Sequence, residues 1–329
     1  MVKYFISNAE KLEKLDKFAP HCWIDLVNPT DDECEDVALF SGVPEDMIKA
    51  ALDEEERARC EFDDGTSMFV VDCPIIEEGE GGDSYTTLPL AVIYNNKCLL
   101  TVSLKGNTVL KEFITGRENV DTKKPVKFLL QFMLGNAKRF LYCLKQIDRK
   151  NHRIQSELGK AMKNAEIINL LDLENSLVYF STSLHSNDRV YDKLSKIEAV
   201  TLTEEYSDLY DDVIIESRQA MEMCNIYKNI LTVTMDAYGS VISNNANNNM
   251  TKLTIITIIL AIPTMIAGFW GMNMPVPGQD GYGPADWIWF FVVIIATVAF
   301  TVAISVLIMK LSGYSLKRNR RKKDRRDKR

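Results

Sequence analysis

Catalytic signatures are missing from this 329-residue chain. It has no GxxxxGKS/T phosphate loop, no GxGxxG after a strand, no HExxH and no GxSxG, which excludes the usual nucleotide-driven, dinucleotide, zinc-hydrolase and serine-hydrolase chemistries. Histidine is scarce, and His21, His152 and His185 have no second ligand near them in sequence. The seven cysteines (Cys22, Cys34, Cys60, Cys73, Cys98, Cys143 and Cys224) are odd in number, scattered and never spaced as CxxC. They read as free thiols in a reducing cytosol rather than as a disulfide framework. The N-terminal stretch MVKYFISNAEKLEKLDKF lacks the apolar core and small-residue cleavage site of a secretory signal, so residues 1 to about 250 are expected inside the cell.

Apolar residues are abundant only in places. The chain is 46% hydrophobic and 26% charged, and its mean hydropathy of −0.10 looks soluble. That mean hides two uncharged runs in the last quarter, 19 residues from Leu253 to Gly271 and 23 from Trp287 to Met309. At about 1.5 Å per residue each is long enough to cross a bilayer. Charge is partitioned too: the tail from Lys317 to Arg329 carries net +8, which leaves −15 on residues 1–316. A basic tail closely following an apolar run marks the cytoplasmic side of a membrane rather than a nucleic-acid site. Lys252 precedes the first run, Lys310 follows the second, and the connecting NMPVPGQDGYGPAD contains no Lys or Arg. Both termini are therefore expected in the cytoplasm, with the loop outside and Trp287 and Trp289 at the outer interface.

The first run carries a narrow polar edge. Three- and four-residue steps pick out Ser240, Ser243, Asn247, Met250, Thr254, Thr257, Ala261, Thr264 and Gly268, while the other faces are Ile, Leu, Met and Phe. Small and hydroxylated residues at this spacing serve close helix packing in lipid or line a wet axis in an oligomer, and the second role is favoured here. Pro263 removes one backbone hydrogen bond within this helix. Upstream, 203–271 reads as one continuous helix. Leu209, Val213, Ala220, Met223, Tyr227, Ile230, Ala237 and Val241 form a seam on it that either self-associates or packs on the chain's own soluble domain. The asparagine-rich run 243–249 falls where this helix is expected to meet the inner membrane face.

Before these helices, apolar or alternating runs at 3–7, 22–27, 68–75, 88–94 and 98–103 predict strands. Thr30 to Glu33 has the capping-box pattern for a helix reaching toward Ser41, and Pro44 to Leu52 predicts another. Interleaved strands and helices indicate an α/β sandwich. Two charged amphipathic helices are expected from Val126 to about Asn164 and from Ala165 to about Lys196. Glu78 to Asp83 reads as a turn-rich loop, and the acidic run Asp53 to Glu56 as a solvated helix end.

At Gly271-Met272-Asn273, closing the first of two C-terminal apolar runs, the sequence resembles the CorA family of magnesium transporters, whose signature is this GMN triplet in this setting. The long preceding helix, Pro263, the short loop, the second run and the basic tail supply the context. WIDLVNPTDDE (23–33) and LENSLVYFSTSLHSN (173–187) also look like family sequence. The resemblance implies an α+β membrane protein assembled as a funnel-shaped homopentamer. Its parts would be a cytoplasmic α/β domain (1–124), a helical hairpin (125–200), a stalk helix (201–252), a pore helix (253–272), an external loop (273–286), a second span (287–310) and a basic cytoplasmic tail (311–329).

The resemblance further implies passive, potential-driven Mg²⁺ uptake across the cell membrane, with Gly271, Met272 and Asn273 as selectivity filter. Family pore positions correspond to Gly268, Thr264, Ala261, Leu253, Met250 and Asn247, and the spacing adds Thr257 and Thr254. Intracellular Mg²⁺ is expected to gate the pore through acidic residues, placed at Asp208, Asp211 and Asp212. Co²⁺ or Ni²⁺ are further cargo candidates. The alternatives are a Zn²⁺, Co²⁺ or Ni²⁺ transporter of the same architecture, as in the related ZntB group, and a membrane-anchored sensor without a pore. Two features depart from the family pattern: Ala261 stands where many relatives have Met, and the external loop reads MPVPG in place of MPE.

Overall fold

The computed structural model describes residues 1–8, 11–79, 82–157, 164–194, 204–271, 288–289 and 291–307. The chain divides into two compact units, Met1–Ala237 and Tyr238–Arg329. The first holds β1 (Val2–Asn8), β2 (Lys11–Leu15), β3 (Trp23–Val27), α1 (Asp31–Ser41), α2 (Glu45–Ala50), β4 (Arg59–Asp63), β5 (Thr66–Gly79), β6 (Gly82–Tyr94) and β7 (Leu99–Ser103). Then come α3 (Thr108–Ile114), α4 (Pro125–Glu157), α5 (Asn164–Leu194) and the start of α6 (Glu204–Trp270).

The seven strands form one sheet in the order β2-β1-β3-β7-β6-β5-β4. Only β3 and β7 run parallel; the other neighbours are antiparallel. Alternate residues of the central strands feed two cores. Ile24, Met68 and Val70 join Val37 of α1 and Ile48 of α2. Trp23, Phe69 and Val71 join Phe113 of α3 and Phe128 and Phe132 of α4. Helices on both faces of the sheet make the expected sandwich three layers deep, and the apolar runs are those of strands buried on both sides.

Local signals explain where the elements begin and end. Thr30 Oγ1 accepts from the Glu33 amide at 3.3 Å, and the Glu33 carboxylate accepts from the Thr30 amide at 3.0 Å, completing the capping box. Strands β2 (KLEKL) and β4 (RCEFD) were not anticipated. Both are sheet edges, where exposed charged positions discourage pairing with another chain and erase the apolar pattern. Helix α3 was also missed, although Asn107 caps it by accepting from the amides of Val109 and Leu110. It packs tightly on α4: a Cβ added at Gly135 would lie 2.5 Å from Val109 Cγ1.

The β5–β6 hairpin is longer than the loop expected at 78–83. Its ladder continues to Glu78 opposite Asp83 and Gly79 opposite Gly82, while residues 80–81 lie outside the described chain. The far part of β5 extends past β4, whose pairing stops at Arg59 opposite Val70. Asn187 of α5 takes over there. Its side chain accepts from the Asp72 amide and donates to the Asp72 carbonyl, both at 2.8 Å, as a neighbouring strand would. Asn136 of α4 donates to the same carbonyl at 2.8 Å. Two residues on, Pro74 has no amide hydrogen to leave orphaned on that edge.

The seam expected on α6 changes register, and of its two expected partners the structure shows the chain's own soluble domain. The buried line is Val213, Ser217, Ala220, Cys224, Leu231 and Thr234, whereas Met223 and Ile230 are only half-buried and Ala237 is exposed. It packs within its own unit: Cys224 Sγ donates to the Leu177 carbonyl at 3.5 Å, and Gln155 donates to Thr234 Oγ1 at 2.7 Å. Apolar spacing alone favoured residues 223 and 230 because it discarded Ser217 and Thr234, the polar members of the true line.

In the second unit α6 continues to Trp270, and an apolar helix α7 spans Phe291–Leu307.

Candidate functional site

Helix α6 has the length and composition to cross a membrane. Its most apolar 18 residues have a mean hydropathy of 1.9, and none of that window is buried within the chain. Leu253, Ile256, Leu260, Met265 and Phe269 all stand more than half exposed. Keeping five such side chains in water would cost on the order of 10 kcal/mol relative to burial, so their natural surroundings are lipid or protein.

On the same helix the anticipated polar edge is exposed at every position from Ser240 to Gly268. Its three threonine hydroxyls share one arrangement. Thr254 Oγ1 donates to the Met250 carbonyl, Thr257 Oγ1 to Leu253 and Thr264 Oγ1 to Leu260, each at 2.9 Å. A hydroxyl has one hydrogen and two lone pairs, so these bonds consume the donor and leave the oxygen as an acceptor. Such an edge suits a hydrated cation, whose bound waters point hydrogens outward. Sequence spacing located the edge but not its donor–acceptor polarity; the available signal was threonine within an apolar helix, where the carbonyl four residues back is the nearest acceptor.

Helix α7 does not cover this edge. It meets α6 across an apolar cavity of about 420 Å³ lined by Pro263, Ile266 and Ala267 on α6, by Gly271 just past its end, and by Val293, Ile294, Thr297 and Val298 on α7. At about 100° per residue, the Pro263–Ala267 face lies roughly 120° around the helix from Thr257, Ala261 and Thr264. Pro263 has no amide hydrogen for the Ile259 carbonyl. Gly268 has open space where a Cβ would stand.

Gly271 ends the helix, its amide donating to the Ala267 carbonyl at 3.1 Å. Met272 and Asn273 of the expected filter lie outside the described residues, as do the external loop and the basic tail. Asp208, Asp211 and Asp212 are all exposed on α6. Among the described residues no three His, Cys, Asp or Glu side chains come together to hold a metal. Burial raises the pKa of all seven thiols, Cys98 to about 12 and Cys143 and Cys224 to about 11, so none is poised as a thiolate ligand.

An α/β/α unit is followed along one long helix by an apolar stretch with the length to cross a membrane, with a second, shorter apolar helix beside that stretch, an arrangement that fits a membrane transporter. Residues 19–311 match the family model described as "CorA-like Mg2+ transporter protein", and the chain belongs to this family of transporters. It is 26% identical over 300 residues to "Cobalt/magnesium transport protein CorA" of Methanocaldococcus jannaschii, covering 89% of this chain and 90% of that one. The protein of the same description from Thermotoga maritima is 23% identical over 300 residues, covering 88% of this chain and 82% of that one. The fold of this chain is similar to that of "The complete structure of CorA magnesium transporter from Methanocaldococcus jannaschii", with a TM-score of 0.77 at 23% identity, covering 94% of this chain and 97% of that one.

Proposed function

We propose that this chain is a passive, membrane-potential-driven Mg²⁺ channel that admits the ion to the cytoplasm. Five copies surround an axis lined by the polar edge of α6, with both termini in the cytoplasm. The observation that carries the reading is that edge: exposed along its whole length, its threonine hydroxyls committed as acceptors, and clear of α7. Mg²⁺ gives up its waters reluctantly. A ring of Asn273 carboxamides at the outer mouth accepts hydrogen bonds from those waters without stripping them, and neutral oxygens release the ion again. Below it Gly268, Thr264, Ala261, Thr257 and Thr254 continue a wet wall, with Leu253, Met250 and Asn247 at the inner end.

No nucleotide is needed. A divalent cation moving inward gains about 4.6 kcal/mol per 100 mV, enough to sustain an accumulation on the order of a thousandfold. Control by intracellular Mg²⁺ is assigned to Asp208, Asp211 and Asp212. The remaining ligands are assigned to a neighbouring copy or to water. Co²⁺ is the leading alternative cargo, since the relatives are described as cobalt/magnesium transport proteins; Ni²⁺ follows. The zinc alternative gains nothing from the protonated, buried cysteines, and Met272 stands where ZntB-like sequences usually carry Ile.

Proteoliposomes with a negative interior test the reading. Mg²⁺ uptake that depends on the potential and collapses in Asn273→Ala is expected. Absence of uptake, or uptake unchanged by that substitution, contradicts it.

A further inference from the structure

The sheet consists of two antiparallel halves, β2-β1-β3 and β7-β6-β5-β4, which meet at the parallel contact between β3 and β7. A cysteine stands on each side of that contact. Trp23 pairs with Leu99, and the Leu99 amide donates to the Cys22 carbonyl at 3.0 Å, so one step back Cys22 lies opposite Cys98. Side chains paired across neighbouring strands point to the same face, and both cysteines enter the core that holds Ile24 and Ile48. Neighbouring strands run about 4.8 Å apart, within the roughly 4.4–6.8 Å between Cα atoms that a disulfide bridges. Both are free thiols, Cys22 fully buried and Cys98 3% exposed.

Their cover is thin. His21 and Lys97, the residues next to them, are both exposed, and the His21 amide donates to the Lys97 carbonyl at 2.6 Å. Asn95 holds the turn before Cys98: its Oδ1 accepts from the amides of Lys97 at 2.8 Å and Cys98 at 3.1 Å, and its Nδ2 donates to the Ser41 carbonyl at 3.0 Å. While this turn stays closed, burial and the neighbouring Cys22 push the Cys98 thiol up to about 12, with the Lys97 charge opposing the shift. A protonated thiol is a poor nucleophile. Local opening at the turn readmits water, restores ordinary acidity and lets Cys98 react.

We propose that Cys22 and Cys98 form an oxidant-responsive staple that locks the two halves of the sheet together. With the turn open, the Cys98 thiolate attacks a hydroperoxide: the O–O bond breaks, Cys98 becomes a sulfenic acid, and the departing alkoxide takes up the proton that Cys98 released. The Cys22 sulfur then attacks Cys98 Sγ, the S–S bond forms, and the sulfenic hydroxyl leaves with the Cys22 proton as water. Two thiols have lost two electrons and two protons, and the hydroperoxide is reduced to an alcohol and a water. A dithiol reverses the reaction by exchange. The staple closes a long loop, so it raises the thermal stability of the α/β unit. It rests on no reading of the ion path.

Treating the full-length protein in nanodiscs with tert-butyl hydroperoxide, blocking free thiols and mapping peptides by mass spectrometry without reduction tests the pairing. A linked pair of peptides carrying Cys22 and Cys98 is expected, with two of the seven thiols lost and both restored by dithiothreitol. Cys34 shares the same core and is the competing partner. A link to Cys34, retention of all seven thiols, or sulfinic acid at Cys98 without a link overturns the proposal. On oxidation the midpoint of thermal unfolding is expected to rise by roughly 5 °C or more in the wild type and to stay where it was in Cys22→Ala and Cys98→Ala. An unmoved midpoint in linked wild type overturns the staple. Asn95→Ala removes the side chain that holds the turn, and it is expected to speed formation of the link about tenfold or more. An unchanged rate overturns control of the reaction by that turn.

Discussion

Asp72 gives the sharpest stability prediction for the α/β unit. Its carboxyl lies largely buried where β5 outruns β4. Burial raises its pKa from 3.8 to about 6, with the Ser183 hydroxyl only partly opposing the shift. The folded form therefore holds a proton that the unfolded chain has released between those two values. Asp72 contributes most below about pH 4, and its contribution is lost as pH rises through 6. A displacement of about two units corresponds to about 3 kcal/mol, an upper figure because water reaches the group in part. Asp72→Asn stays neutral throughout, so it is expected to flatten this part of the pH dependence and to exceed wild type by about 1–2 kcal/mol at pH 7.5. Chemical denaturation of the full chain in detergent at several pH values, followed by hydrogen exchange in β5 and β6, measures both effects. Equal pH slopes in the two proteins would refute the argument that the carboxyl is buried without a countercharge.

Asn187→Ala removes its two bonds to the Asp72 backbone and orphans the Asp72 amide, while Asn136 still serves the carbonyl; a loss of about 1–3 kcal/mol is expected by denaturation, with faster exchange confined first to the far half of β5. Gly135→Ala drives a methyl into Val109 and should cost about 1–3 kcal/mol, with recovery in the double variant Gly135→Ala, Val109→Ala, a coupling that additive single effects would deny. Thr30→Ala loses the cap of α1 and should cost about 1 kcal/mol in the same measurement, with the C-terminal end of that helix unaffected.

Much of this fold is legible in the sequence because burial leaves a pattern. Central strands buried on both faces appear as apolar runs, Thr30 and Glu33 announce α1, and the uncharged stretch after Lys252 announces the span. The edge strands escape for the opposite reason: β2 and β4 are kept polar by the need to stay unpaired. A signal for β4 was nevertheless present in Asp64-Gly65, both at positive φ (38° and 79°) in the turn to β5. Asn187 is illegible from spacing, since its role as a substitute strand depends on which part of β5 lacks a neighbour. The α6 seam shows the limit of apolar counting. Ser217 and Thr234 belong to the buried line despite their hydroxyls, and Thr234 is accommodated by donating to the Ile230 carbonyl at 2.8 Å while accepting from Gln155. Spacing also located the exposed edge from Ser240 to Gly268, because its small and hydroxylated residues stand out against the Ile, Leu, Met and Phe of the other faces.

The most direct test is an image reconstruction of the full-length protein in lipid nanodiscs. The account predicts a five-fold assembly in which Thr257, Ala261 and Thr264 of every copy face one continuous central passage capped by Asn273. A reconstruction that turned those residues toward lipid or toward α7, leaving the centre closed by packed apolar side chains, would contradict it.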